Sequence, residues 1–160
     1  MPSTRRRIGE SYEPDAKRNR TSERPEIPGK TLYGKYETDA CDGALKNLFS
    51  AIRSAEQSHL RTVEKILGGE EVSSPAAPSA VSQTYEGAPS SCSLQQKQND
   101  AYLCRDALSM EKHVSSLYDV SIFEFSDPTL RDTLGHIQKE EQNHGQQLYE
   151  YLAKNNLYNA

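Results

Sequence analysis

From about residue 39 onward, apolar residues recur at intervals of three and four. Leu45, Phe49, Ile52, Val63 and Ile66 trace one stripe, and that period predicts a helix buried along one side. Thr38 or Asp39 can cap its start and Gly68-Gly69 its end, giving a first long helix over 39–67. A second stripe, Leu103, Ala107, Val114 and Tyr118, predicts a helix from about Gln96 to Phe125. "SDP" at 126–128 then supplies a reversal, with Ser126 or Asp127 as cap and Pro128 suited to a first turn. Leu130, Leu134, Ile137, Leu148 and either Tyr151 or Leu152 continue as a third helix to about Asn155. So short a connection requires that 96–156 form an antiparallel helical hairpin.

Two stretches lack the pattern. Residues 1–38 carry Pro14, Pro25, Pro28, Gly29 and Gly34, which predict a disordered arm. Residues 68–95 are rich in Gly, Ser, Pro and Ala and predict a flexible linker. The 42–67 helix would be about 39 Å long. The 28-residue linker has a root-mean-square span of roughly 30 Å, enough to cross from one end of a bundle to the other.

The polar residues inside the stripes change the picture. Aligning residue n with n+85 pairs 42–67 with 127–152. The pairs Asp42/Asp127, Leu45/Leu130, Ile52/Ile137, Glu56/Glu141, Gln57/Gln142, His59/His144 and Leu67/Leu152 are identical. Seven identities in 26 pairs, where about one or two would arise by chance, point to an internal duplication. The same offset pairs Leu32-Tyr33 with Leu117-Tyr118 and Glu26 with Glu111. Both copies place Glu-x-x-His at successive core positions, one turn apart, so both heads face one layer. Glu111 falls between Ala107 and Val114 on its own stripe.

A buried carboxylate costs several kcal/mol without partners. A Glu on one helix with Glu-x-x-His on its neighbour, used twice, is the ligand set of ferritin-like di-iron and di-manganese bundles. Five candidate ligands are present: Glu56, His59, Glu111, Glu141 and His144. The sixth would come from the missing fourth helix, where Glu26 holds the matching offset between Pro25 and Pro28, and Glu37 is a second choice. The alternative is a hydrogen-bonded layer without cofactor, inherited from a metal-binding ancestor. If the layer is filled, oxygen-rich donors favour Fe or Mn. His113 and His136 lie off the stripes and are expected at the surface.

Composition adds bounds. At 160 residues and 34% apolar, one domain is expected, part of it solvated. Eight Lys/Arg against five Asp/Glu in residues 1–30, and 11 against 18 beyond, set a mildly basic arm before an acidic body. No stretch approaches the roughly 20 apolar residues of a membrane span, and none follows the basic residues as a secretory signal would. Synthesis in the cytoplasm is the expectation. Three cysteines without a CxxC give reduced thiols as the default, with later cross-linking open.

"EKHVSSLYD", "FSDPTLRDTL" and "HIQKEEQNHGQQLYEYL" within 111–158 resemble the spore coat protein F family, over roughly residues 97–158. The resemblance implies a ferritin-like helical domain and a structural place in the spore coat, among other coat proteins. The expected architecture is therefore an all-α ferritin-like bundle of three long helices. Its fourth place would be filled by residues 25–38 or by a second copy of the chain. A structural role through self-association is expected, rather than an enzyme. The rival readings are a di-metal oxidase, peroxidase or catalase-like enzyme, and a nucleic-acid binder using residues 1–24.

Overall fold

The computed structural model describes residues 28–73, 85 and 87–158. They form four helices, α1 (Pro28–Asp39), α2 (Gly43–Leu67), α3 (Leu94–Glu124) and α4 (Pro128–Lys154). No strand occurs among the described residues, and none of the described helices is long and apolar enough to cross a membrane.

The helix ends follow local chemistry. Asp42 caps α2 by accepting from Ala44 N at 2.9 Å, three residues later than the sequence suggested. Thr38 and Asp39 belong to the last turn of α1 instead. Gly68 and Gly69, the latter at φ 72°, end α2 in a conformation that glycine adopts at little cost. Ser93 and Gln96 form a capping box on α3. Asp127 caps α4 through Thr129 N at 2.7 Å, and Pro128 occupies its first turn.

α1 corrects the expectation of a non-helical arm up to residue 38. A proline at the first helical position forfeits no intrahelical bond, because that N–H has no acceptor there. Tyr33, Tyr36 and Ala40, spaced by three and four, are buried. Tyr36 meets Phe49 of α2 at 5.3 Å between ring centroids, and Tyr33 meets it at 6.0 Å. Burying two large aromatic side chains outweighs the weak helix propensity of this glycine-containing stretch. The chain thus supplies its own fourth element, one of the two occupants expected for that groove.

α1 pairs with α2 and α3 with α4, while α2 lies against α4. Two hairpins joined by a long connection reproduce ferritin-like connectivity. The shared apolar core holds Leu45, Phe49, Ala101, Cys104, Ala107, Leu148, Tyr151 and Leu152. Asp100 is fully buried and accepts from Cys41 N at 2.8 Å and Asp42 N at 3.0 Å, fixing the α1–α2 turn to α3.

Residues 74–84 and 86 of the expected linker lie outside the described residues. Its final part is docked, not free. Tyr85 is buried against Tyr151 at 5.5 Å, its N–H donates to Glu150, and Ser90 N donates to Asn155 Oδ1 at 2.7 Å. Cys41 and Cys92 form a disulfide, correcting the default of three reduced thiols. The sequence lacked the signal because the two are 51 residues apart and meet only when both hairpins pack. Cys104 is free and buried.

Candidate metal centre

The five residues read from the duplication converge on one layer. Ile52, Phe49 and Leu45 anchor the α2 stripe in the core, so the next position on that face, Glu56, turns inward, and His59 follows one turn on. Leu134 and Ile137 do the same for Glu141 and His144 on α4. Ala107, fully buried, directs Glu111 inward from α3. His59, Glu111, Glu141 and His144 are buried and Glu56 half-buried.

One donor atom from each of Glu56, Glu111, Glu141 and His144 lies within 4.8 Å of the others. His144 Nδ1 stands 3.3 Å from Glu111 Oε2 and 3.5 Å from Glu56 Oε1. His59 stands to one side, its Nδ1 3.0 Å from Glu141 Oε1 and 3.6 Å from Glu56 Oε1. The two imidazoles stack at 5.9 Å.

Two residues enter that the sequence reading did not place in the site. Tyr33 of α1 donates its hydroxyl to Glu111 Oε1. The pairing of Tyr33 with Tyr118 under the 85-residue offset was its one sequence signal. Glu140 accepts from His59 Nε2 at 2.8 Å; it lies one residue off the stripe, and nothing in the periodicity marks it. Glu37 does not join the layer, because it pairs with Arg53 at 3.0 Å. Glu26 lies outside the described residues. His113 is exposed. His136 is half-buried, not at the open surface, and with His59, Thr62, Thr133 and Glu140 it lines a cleft of about 380 Å³ between α2 and α4.

The electrostatics are those of crowded carboxylates. Burial would raise the Glu56 carboxyl, but His144 and His59 outweigh it and hold it near about 2. Glu141 is pushed up to about 8 by burial and its neighbours Glu111 and Glu56, despite His59. Burial alone would lower both imidazoles. Glu141 and Glu56 instead raise His59 to about 10, and Glu111 and Glu56 raise His144 to about 9. Burial, then Glu111, drives the Tyr33 phenol well above its ordinary range.

Protein groups do not satisfy the layer completely. Glu56 Oε1, His59 Nδ1 and Glu141 Oε1 are buried without a hydrogen-bond partner. The 3.0 Å approach of His59 Nδ1 to Glu141 brings the charges close but lacks hydrogen-bond geometry. Buried polar atoms in native proteins are rarely left so. Two of the orphaned atoms belong to Glu56 and Glu141, which converge with Glu111 and His144, and such a set of carboxylates and an imidazole fits a divalent cation of the Fe or Mn kind.

Residues 99–160 match the family model of the Coat F domain. Neither a curated protein nor a solved structure matches the chain. The match spans α3 from its second turn through the whole of α4, the two helices that supply Glu111, Glu141 and His144. The α3–α4 hairpin carries a Coat F domain, which supports placing it with the coat F family of spore coat proteins.

Proposed function

We propose that the protein is a structural component of the spore coat that acts by self-association and by contacts with other coat proteins. The Coat F match supports the coat assignment. The observation that carries the mode of action is an apolar stripe at the far end of α3. Leu117, Val120 and Phe123, three residues apart, are 54%, 62% and 84% exposed. Isolated exposed apolar residues are ordinary, but three in register on one helix face form a patch of the kind that proteins cover. α1 is about 18 Å long and α3 about 46 Å. Among the described residues, α3 therefore continues past Glu111 beyond the reach of α1.

Light scattering on the full chain at micromolar concentration tests this reading. The expected result is a discrete oligomer that Leu117→Lys with Phe123→Lys converts to monomer at unchanged helicity. A monodisperse wild-type monomer overturns it.

The three orphaned atoms favour a second reading, a ferritin-like di-iron or di-manganese oxidase, peroxidase or catalase-like enzyme. Glu56, His59, Glu111, Glu141 and His144 would hold the metal, which when bound supplies redox chemistry toward oxygen or peroxide. The chain's own part is positional. Tyr33 orients Glu111 and Glu140 orients His59, the outer hydrogen bonds on which ligands depend. Metal analysis of protein purified without a His-tag separates the readings. Near two Fe or Mn per chain supports the enzyme, and none supports the metal-free brick.

A further inference from the structure

We infer that the layer is built for one divalent cation, held by Glu56, Glu111, Glu141 and His144, and not for a pair. The inference rests on the metal-binding reading of the layer and narrows it. The full ferritin-like set offers two ions two histidines and four carboxylates, so that if two carboxylates were shared each ion would keep a histidine and one terminal carboxylate of its own. Here Glu56 and Glu141 approach both histidines, so they are the shared pair. On one side His144 is joined by Glu111, which completes four donors within 4.8 Å of one another. On the other side His59 has only the shared carboxylates facing its Nδ1, 3.0 and 3.6 Å away. Among the described residues no terminal carboxylate completes that half.

What α1 brings to the layer, among the described residues, is a phenol and not a carboxylate. The Tyr33 hydroxyl donates to Glu111 Oε1, leaving Glu111 Oε2 turned to His144 at 3.3 Å. Tyr33 is thus a positioning residue for the complete half, and adds nothing to the incomplete one. Charge balance agrees. Three carboxylates carry more than enough charge for one divalent cation but fall one short of the four that would neutralise two in a buried layer.

The test is titration of the metal-free full chain with Mn²⁺, followed by calorimetry and low-temperature electron paramagnetic resonance. The expected result is one equivalent bound, with the spectrum of an isolated Mn²⁺ ion. Glu111→Gln should weaken binding by at least roughly 100-fold, and Tyr33→Phe by roughly 10-fold at the same stoichiometry. His59→Gln should weaken it by less than about 10-fold. Two equivalents with an exchange-coupled spectrum overturn the single-ion inference while leaving the metal reading intact. Equal losses from His59→Gln and Glu111→Gln do the same. No binding by the wild type overturns both. Stoichiometry and spectrum are read on the wild type, so a variant that fails to fold does not remove the test.

Discussion

Glu141 occupies the middle of the polar layer, 2% exposed, with His59 and His144 on either side. Its carboxyl, pushed up to about 8 by burial and its acidic neighbours, is largely a neutral acid at pH 7. Glutamine copies that shape and can still hydrogen-bond, whereas alanine leaves a cavity and strands the imidazole opposite. In metal-free protein, Glu141→Gln should therefore cost less than about 1 kcal/mol and Glu141→Ala about 2–4 kcal/mol. Urea denaturation checks the difference, and equal losses would mean that the ionised carboxylate is what the fold requires. The five inward Glu and His residues were legible because the duplication repeats them in register on apolar stripes. Tyr33 was not, because its role depends on a helix the sequence disguised. Glu140 was not either, because a residue beside a stripe reaches the layer only through its side chain's own length.

At the scale of the elements, the decisive piece is the short hairpin of α1 and α2. Asp100 of α3 receives two backbone N–H groups of its turn and the Tyr151 hydroxyl at 3.4 Å, all in a fully buried position. Hydrogen bonds to a charged acceptor contribute more than neutral ones, and removing it orphans the donors. Asp100→Ala is expected to cost about 2–4 kcal/mol, read by thermal or urea unfolding; a loss under about 0.5 kcal/mol would assign the turn's geometry to the disulfide alone. The Cys41–Cys92 bond closes a loop with sequence separation 51, for which chain entropy gives a stabilisation of about 4 kcal/mol and practice about 2–4 kcal/mol. Cys41→Ser with Cys92→Ser should lower stability by that amount, and added reductant should do the same to the wild type. The two long helices of the Coat F hairpin and α2 could be read from period and capping alone. α1 could not, since Pro28, Gly29 and Gly34 outweigh two tyrosines in any local count. Tertiary burial of Tyr33 and Tyr36 reverses that balance.

The whole molecule is held together where its two hairpins meet, and the polar layer is part of that seam. Glu56 and His59 come from one hairpin and Glu111, Glu141 and His144 from the other, so their titration acts on the union of the halves. In the metal-free protein the signs can be taken group by group. Glu56 is held near about 2 against an ordinary 4.5, so its contribution is present above 4.5 and lost as pH falls toward 2. His59 and His144 are raised from 6.5 to about 10 and about 9. Their contribution is complete below 6.5 and lost as pH rises through 9 to 10. Glu141, raised from 4.5 to about 8, adds a cost that grows as pH rises across that interval. All but one of these effects oppose alkali, and only Glu56 opposes acid. Stability of the metal-free chain should therefore be greatest between pH 4.5 and 6.5, nearer the lower end, and decline steadily toward pH 10. Melting temperatures across that range provide the check. A profile flat or rising from pH 6.5 to 9 would show that the layer's charges do not bind the hairpins together. Saturating Mn²⁺ should flatten the alkaline decline, because a bound cation stabilises the same carboxylates without depending on imidazole protons.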